Sequence, residues 1–279
     1  MRSCIAILLA VMACSCSSKY RAVTTANLSQ KTYNLSYGSD KQQKMDVFIP
    51  HEVNADKPFV VLIHGGAWTL GNKRNIRMVQ RFLMRNGIPS ANLNYRLTSD
   101  QSHLDEQLED IRLALESLDR NLDSHSLKPK KYILLGESSG GHISLLYGYQ
   151  HPQQISSIIA LFPPTDFTVD NQSNLVKEIS VPIMQKLLGT TDVDAAKSAL
   201  REASPIFKVS DVPTLLLQGT WDFVVDKNQS IALDSVLEQK KIKHRLVLVE
   251  KGTHFMRLNS NTRRTIIYPE ILRWITQTN

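Results

Sequence analysis

Cysteine is nearly missing from this chain of 279 residues. Its three cysteines, Cys4, Cys14 and Cys16, all lie close to the N terminus, and the remaining sequence contains none. The body of the protein therefore needs no disulfide framework. It also offers no thiol nucleophile and no thiolate ligands for a metal.

A hydrophobic run long enough to span a bilayer is also missing from the N-terminal region. The apolar stretch at residues 5–13 is too short, since a spanning helix needs about 20 apolar residues. It follows a short basic start and ends in VMAC, which resembles a bacterial lipoprotein processing box. We expect residues 1–13 to be a signal peptide, Cys14 to be lipidated, and residues 14–30 to form a flexible tether. The protein would then be lipid-anchored in the cell envelope. The alternatives are lipidation at Cys16 and ordinary secretion with cleavage nearby.

A strong excess of charge of one sign is missing as well. The net charge is +7, from 33 basic and 26 acidic residues, which does not indicate a nucleic-acid partner. Four arginines do recur at helical spacing: Arg74, Arg77, Arg81 and Arg85. This pattern is typical of a solvated helix face, and the alternative is contact with an anionic lipid or an acidic glycan.

What the sequence does contain is an alternation of strand and helix patterns. Continuous apolar runs such as VVLI at residues 60–63 indicate strands that are covered on both faces, as in a parallel sheet. We predict strands at 45–49, 59–64, 89–94, 132–136, 157–161, 214–218 and 245–249, and helices at 75–86, 104–122, 141–150, 227–240 and 262–278. The alternation predicts one α/β domain over residues 31–279, with a mostly parallel sheet flanked by helices.

One segment interrupts the alternation. Residues 166–205 are too many for a simple connection, and they contain helical patterns at 175–188 and 194–203. We predict that they form a small lid over the carboxyl edge of the sheet, where ligands bind in open α/β folds.

The segment GESSGG at residues 136–141 follows a strand pattern and opens a helical pattern. It matches G-x-S-x-G, in which a tight strand-to-helix turn exposes a serine as a nucleophile. Small residues on both sides of Ser138 would avoid clashes with the neighbouring strand and helix. The alternative is a glycine-rich turn with an incidental serine, because such a match arises by chance in roughly one chain in ten of this length.

A serine nucleophile needs a base, and the base needs a carboxylate to orient it. His254, just after the last predicted strand, is the predicted base, whereas His142 lies in a predicted helix and is expected to pack there. Asp222, which follows the strand at 214–218, is the predicted acid. Asp226 is the close alternative, but it could instead cap the next helix.

The motif HGGAW at residues 64–68 also follows a strand pattern. Its small residues would let backbone N–H groups approach a reacting carbonyl oxygen. The predicted oxyanion donors are the N–H groups of Gly66, Ala67 and Ser139. Trp68 is a predicted substrate contact, and the alternative is that it packs beneath a loop.

These motifs resemble the α/β-hydrolase superfamily, and more closely its esterase/lipase group of hormone-sensitive-lipase-like and BD-FAE-like bacterial enzymes. The resemblance covers about residues 37–274 and includes KMDVFIP, NYRL, GTWDFVV and GTHF. It implies a serine hydrolase that uses Ser138, Asp222 and His254, in the chain order of this superfamily, without a metal or an organic cofactor. Position 139 is commonly alanine in such proteins and is serine here.

The motifs and the resemblance together predict a carboxylesterase that acts through an acyl-enzyme on small-molecule or glycan esters, such as acetyl or feruloyl esters of polysaccharides. Two alternatives stay open: an amide hydrolase of the arylformamidase or peptidase type, and a catalytically inactive lipoprotein that binds ligands at the cell surface. The residues do not indicate an oligomeric state.

Overall fold

A computed structural model of the protein describes residues 29–51, 53, 58–122, 127, 129–169, 174–190 and 192–278. The predicted signal peptide, Cys14 and nearly all of the predicted tether lie outside these residues, and those assignments stay predictions. Within the described ranges, we find no helix with the length and apolar character to cross a membrane.

An eight-stranded sheet forms the centre of the domain. Its strands are β1 (Gln30–Ser36), β2 (Lys44–Ile49), β3 (Phe59–Ile63), β4 (Ser90–Leu93), β5 (Tyr132–Glu137), β6 (Ile155–Leu161), β7 (Thr214–Gly219) and β8 (His244–Val249). They lie in the order β1-β2-β4-β3-β5-β6-β7-β8. The β1–β2 and β2–β4 pairs are antiparallel, and the other five pairs are parallel. The predicted α/β fold with a mostly parallel sheet is confirmed.

Helices cover both faces of the sheet. They are α1 (Arg77–Arg85), α2 (Leu104–Leu122), α3 (Ser139–Gln150), α4 (Asn174–Leu188), α5 (Val193–Glu202), α6 (Lys227–Gln239), α7 (Ser260–Thr262) and α8 (Tyr268–Gln277). A π-helical turn, Arg263–Ile267, joins the last two. The predicted lid patterns correspond to α4 and α5, and the function of a lid stays a prediction.

The continuous apolar strands are explained by two separate cores. In β3, Val61 and Ile63 face a core that includes residues of α2, α3 and α6. Val60 and Leu62 face a second core, which includes residues of α1 and α8. Because both faces are covered, every position of β3 is apolar and buried.

Strand β1 is missing from the sequence-based prediction. All of its residues except Leu35 are exposed, and its sequence QKTYNLS has no apolar run. It lies at the edge of the sheet and pairs only with β2 in the described structure. Such a strand is held by its pairing with a neighbour, which hydrophobic patterning does not reveal. Gln30, placed in the tether by the sequence, is its first residue.

Candidate active site

Ser138 lies at a sharp turn between β5 and α3. Its φ of 53° is in the left-handed region, which is strained for a residue with a side chain. The flanking glycines permit this turn, since a Cβ at Gly136 would lie 2.1 Å from the Gly140 carbonyl oxygen. A Cβ at Gly140 would lie 2.2 Å from the carbonyl oxygen of Ile63 in the neighbouring strand. The backbone therefore has the form of a nucleophile elbow.

The three side chains selected from the sequence meet at the carboxyl edge of the sheet. His254 Nε2 lies 2.9 Å from Ser138 Oγ, and His254 Nδ1 lies 2.8 Å from Asp222 Oδ2. Asp222 follows β7, and His254 follows β8. The carboxylate and the imidazole are both buried, so water competes little for these hydrogen bonds.

Further hydrogen bonds hold the Asp222 carboxylate. Its Oδ1 accepts from the backbone N–H groups of Val224 and Val225, both at 2.9 Å. Its Oδ2 also accepts from Gln218 Nε2 at 3.1 Å. These hydrogen bonds fix the orientation of the carboxylate, so that Oδ2 faces His254 Nδ1 and can accept its proton in a hydrogen bond. The alternative acid, Asp226, caps α6 instead by accepting from the Asn228 N–H at 2.7 Å.

The predicted oxyanion loop lies directly against the elbow. A Cβ at Gly65 would be 2.8 Å from the Glu137 carbonyl oxygen and 3.2 Å from Ser138 Cβ. The loop is strongly curved, with φ of 138° at Gly66 and 48° at Ala67. Neither of these two N–H groups donates a hydrogen bond to another described residue. Ser139 is the first residue of α3, where backbone N–H groups have no partner within the helix.

His64 holds this loop from beneath, a role that the sequence analysis missed. Its Nδ1 atom lies 2.8 Å from the Gly65 carbonyl oxygen, and its ring stacks on Tyr95 with centroids 4.5 Å apart. Burial lowers the pKa of His64 to about 4, so the imidazole is neutral at pH 7. A neutral ring with its proton on Nδ1 donates to Gly65. Because the carbonyl of Gly65 shares a planar peptide with the N–H of Gly66, this bond also orients that N–H.

A family model places the chain among known proteins. The model for BD-FAE matches residues 45–237, which carry Ser138, Asp222 and the oxyanion loop. The chain belongs to the BD-FAE family.

Several curated relatives of this BD-FAE chain have esterase names, and several others are non-reducing polyketide synthases. A probable isoprenylcysteine alpha-carbonyl methylesterase from Oryza sativa subsp. japonica is 26% identical over 247 residues, covering 81% of this chain and 57% of the relative. An isoprenylcysteine alpha-carbonyl methylesterase from Arabidopsis thaliana is 24% identical over 241 residues, covering 79% and 56%. The chain thus spans about half the length of these curated esterases that it matches.

Solved structures share the fold. A truncated carbohydrate esterase from gut microbiota superposes with a TM-score of 0.78 at 19% identity, covering 91% of this chain and 98% of that one. An inhibited esterase B from Lactobacillus rhamnosis gives a TM-score of 0.76 at 20% identity, covering 90% and 87%. At these identities the likeness concerns the fold alone.

Trp68, the predicted substrate contact, is buried. Its Nε1 donates to His142 Nδ1 at 3.2 Å, and its ring makes edge contacts with His142 and Phe167. His142 Nε2 donates in turn to the Ala203 carbonyl oxygen at 2.7 Å. These are packing contacts that connect the oxyanion loop to the end of the predicted lid. His142 packs as expected, and the substrate role of Trp68 stays a prediction.

The two buried histidines make the protein sensitive to acid. Burial lowers the pKa of both His64 and His142 to about 4, against about 6.5 in an unfolded chain. Between these pH values the unfolded state binds more protons, so the stability is fully present above pH 6.5 and falls as the pH decreases toward 4. Each histidine can contribute roughly 3 kcal/mol to that loss. Urea unfolding of wild type and His142→Gln between pH 7 and pH 4.5 tests this. The variant should show a shallower pH slope, and equal slopes would contradict the prediction.

A buried ion pair joins the nucleophile elbow to the histidine loop, and the sequence analysis missed it. Arg257 Nη2 donates to Glu137 Oε1 at 2.8 Å, and Arg257 Nε donates to Glu137 Oε2. Arg257 Nη2 also donates to the Asn75 carbonyl oxygen at 3.0 Å. Glu137 immediately precedes Ser138, and Arg257 lies three positions after His254. The pair therefore fixes the two loops relative to each other.

Removal of one partner should destabilise the fold strongly. We expect Arg257→Met to lower the free energy of unfolding by about 3–5 kcal/mol, because it leaves the Glu137 carboxylate buried and unpaired. Arg245, which is 47% exposed in its pair with Glu270, supplies the control. For Arg245→Met we expect a loss of at most about 1 kcal/mol in the same urea titration. If both variants lost the same free energy of unfolding, burial would not be what makes the Arg257–Glu137 pair important.

Exposed apolar side chains surround the site. Phe223 is 82% exposed next to Asp222, and Phe255 is 64% exposed next to His254. Trp221, Leu258 and Leu70 of the oxyanion loop are also at least half exposed. Clustered exposed apolar side chains of this kind are typical of a binding surface.

Proposed function

We propose that the protein is a serine hydrolase that cleaves carboxylic esters through an acyl-enzyme intermediate. The observation that carries this proposal is the hydrogen-bonded chain from Asp222 through His254 to Ser138, with distances of 2.8 and 2.9 Å. The esterase names of the relatives support an ester as the substrate.

In this mechanism His254 Nε2 accepts the proton of Ser138 as Oγ attacks the ester carbonyl carbon. The negative charge that develops on the carbonyl oxygen is stabilised by three backbone N–H groups, those of Gly66, Ala67 and Ser139. His254 then donates its proton to the departing alcohol. A water molecule releases the acid by the same steps, while Asp222 keeps the proton of the imidazole on Nδ1 and stabilises the imidazolium form.

We propose acetyl and feruloyl esters of polysaccharides as the substrate class. The exposed rings of Trp221, Phe223 and Phe255 offer an apolar surface beside the site for the acyl group. The structural likeness to a carbohydrate esterase is compatible with this choice.

Two assays test the proposed function. A fluorophosphonate probe reacts with an activated serine, so it should label the folded wild-type protein. Rates on p-nitrophenyl acetate, acetylated xylan, a feruloyl ester and N-formylkynurenine should then favour the esters. Faster cleavage of N-formylkynurenine would indicate an amide hydrolase instead. Failure of the probe to label well-folded protein would contradict the proposal and favour an inactive binding protein.

A further inference from the structure

A cavity whose walls include none of the three candidate catalytic residues opens beside the oxyanion loop. It has a volume of about 210 Å³, and its walls include Tyr33, Asn34, Asp46, Lys73, Arg74 and Arg77. These residues come from β1, β2, the loop after β3 and the start of α1. The cavity is smaller than the roughly 300–1,000 Å³ that is usual for drug-sized ligands, so it suits one sugar-sized group.

A buried polar pair forms part of the wall. Lys73 and Asp46 are almost fully buried and form an ion pair. Lys73 Nζ also donates to Asn34 Oδ1, and the Asn34 N–H donates to Asp46 Oδ1 at 2.9 Å. These contacts fix β1 against the loop, so the cavity is a built feature of the fold.

Two arginines give the wall of the cavity an excess of positive charge. Arg74 is exposed and forms no ion pair with a described residue. Arg77 approaches Asp46 Oδ2 only to 3.9 Å, and its buried Nε has no hydrogen-bond partner among the described residues. Since Asp46 is already paired with Lys73, the cavity keeps a net positive charge. Guanidinium groups match the geometry of carboxylates and related oxyanions.

The free guanidinium groups and the neighbouring Tyr33 guide the choice of ligand. Since Lys73 is paired with Asp46, the arginines are the groups left to bind an anion, and a carboxylate fits a guanidinium group in a bidentate pair. Tyr33 is 54% exposed and packs edge-on against Phe48, which leaves ring surface free for an apolar sugar face. We propose that this cavity binds the carboxylate of an acidic sugar, such as a uronate residue of a glycan.

Asp46, in the wall of the cavity, and the strand that leads to the serine are three positions apart in the sheet. Asp46 pairs with Asn92, Asn92 with Leu62, and Leu62 with Leu135, three residues before Ser138. Three strand spacings correspond to roughly 14 Å. The binding site itself does not depend on the proposed esterase activity.

Titration calorimetry with sodium glucuronate tests the proposal directly, with glucose as the neutral control. We expect glucuronate to bind and glucose not to bind. The double variant Arg74→Ala/Arg77→Ala should weaken glucuronate binding by about tenfold or more, since charge-assisted hydrogen bonds are lost. Arg77→Lys keeps the positive charge but loses the two parallel N–H donors of the guanidinium group. It should therefore weaken glucuronate binding by an intermediate amount.

The matched control uses the same helix. Arg81→Ala/Arg85→Ala removes two arginines that do not line the cavity, and it should leave glucuronate binding unchanged. Equal losses of glucuronate affinity in both double variants would show that the whole row of arginines binds anions, as a face that contacts an anionic membrane would. That result would overturn the proposal. Absence of glucuronate binding to the wild type, or binding that both double variants retain, would overturn it as well. Melting curves of each variant confirm that it is folded.

Discussion

Ser138→Ala should reduce the kcat for ester hydrolysis by about 10⁴–10⁶-fold, which is the largest effect that we expect from one substitution. The variant removes the only hydroxyl within hydrogen-bond distance of His254 Nε2 in the described structure. It leaves the oxyanion loop and the Asp222–His254 pair in place. Residual activity should therefore be similar to that of a His254→Ala variant, because the three side chains act as one unit. Steady-state kinetics with p-nitrophenyl acetate measures the loss.

The adjacent serine provides the control for this experiment. Ser139 Oγ is buried beside the Tyr95 hydroxyl, and only the backbone N–H of Ser139 is expected to serve the reaction. Ser139→Ala keeps that N–H and should leave kcat within a few-fold of wild type. A fluorophosphonate probe should label Ser139→Ala and fail to label Ser138→Ala. Labelling of Ser138→Ala at the wild-type rate would show that another residue is the nucleophile.

The parts of the site that the sequence predicts are those in which a motif follows a strand. GESSGG follows β5, HGGAW follows β3, and the segments with Asp222 and His254 follow β7 and β8. Carboxyl ends of parallel strands meet at one edge, so a correct strand assignment already brings these residues together. The chemistry of a serine nucleophile then limits the choice to a histidine and a carboxylate at that edge.

The parts that the sequence does not predict depend on contacts between distant segments. Glu137 and Arg257 are 120 positions apart, and nothing local to either residue specifies the other. The proposed anion cavity depends on β1, an exposed strand whose position is set by its pairing with β2. The arginine spacing over residues 74–85 predicts an exposed face, but only the packing of this segment beside β2 separates Arg74 and Arg77 from Arg81 and Arg85.

Asp222→Asn should lower kcat by about 10⁴-fold while the fold stays intact. Asp222 Oδ1 accepts two backbone N–H groups, from Val224 and Val225, so the oxygen of an amide would keep that position. Its NH₂ group would then face His254 and donate to Nδ1, which places the imidazole proton on Nε2. A protonated Nε2 cannot accept the proton of Ser138. Kinetics across pH 6–9, with melting temperatures as a check on folding, measures the effect.

Asp226→Asn is the matched control for this substitution, because it makes the same chemical change four positions away. Asparagine caps helices about as well as aspartate, so α6 should keep its cap and its stability. Asp226 accepts from Asn228 at the helix end, whereas Asp222 is the carboxylate bonded to His254. We therefore expect kcat to stay within about twofold of wild type for Asp226→Asn. If Asp226→Asn instead caused the larger loss of kcat, Asp226 would be the acid that orients His254. The hydrogen bonds of Asp222 would then serve only to stabilise its loop.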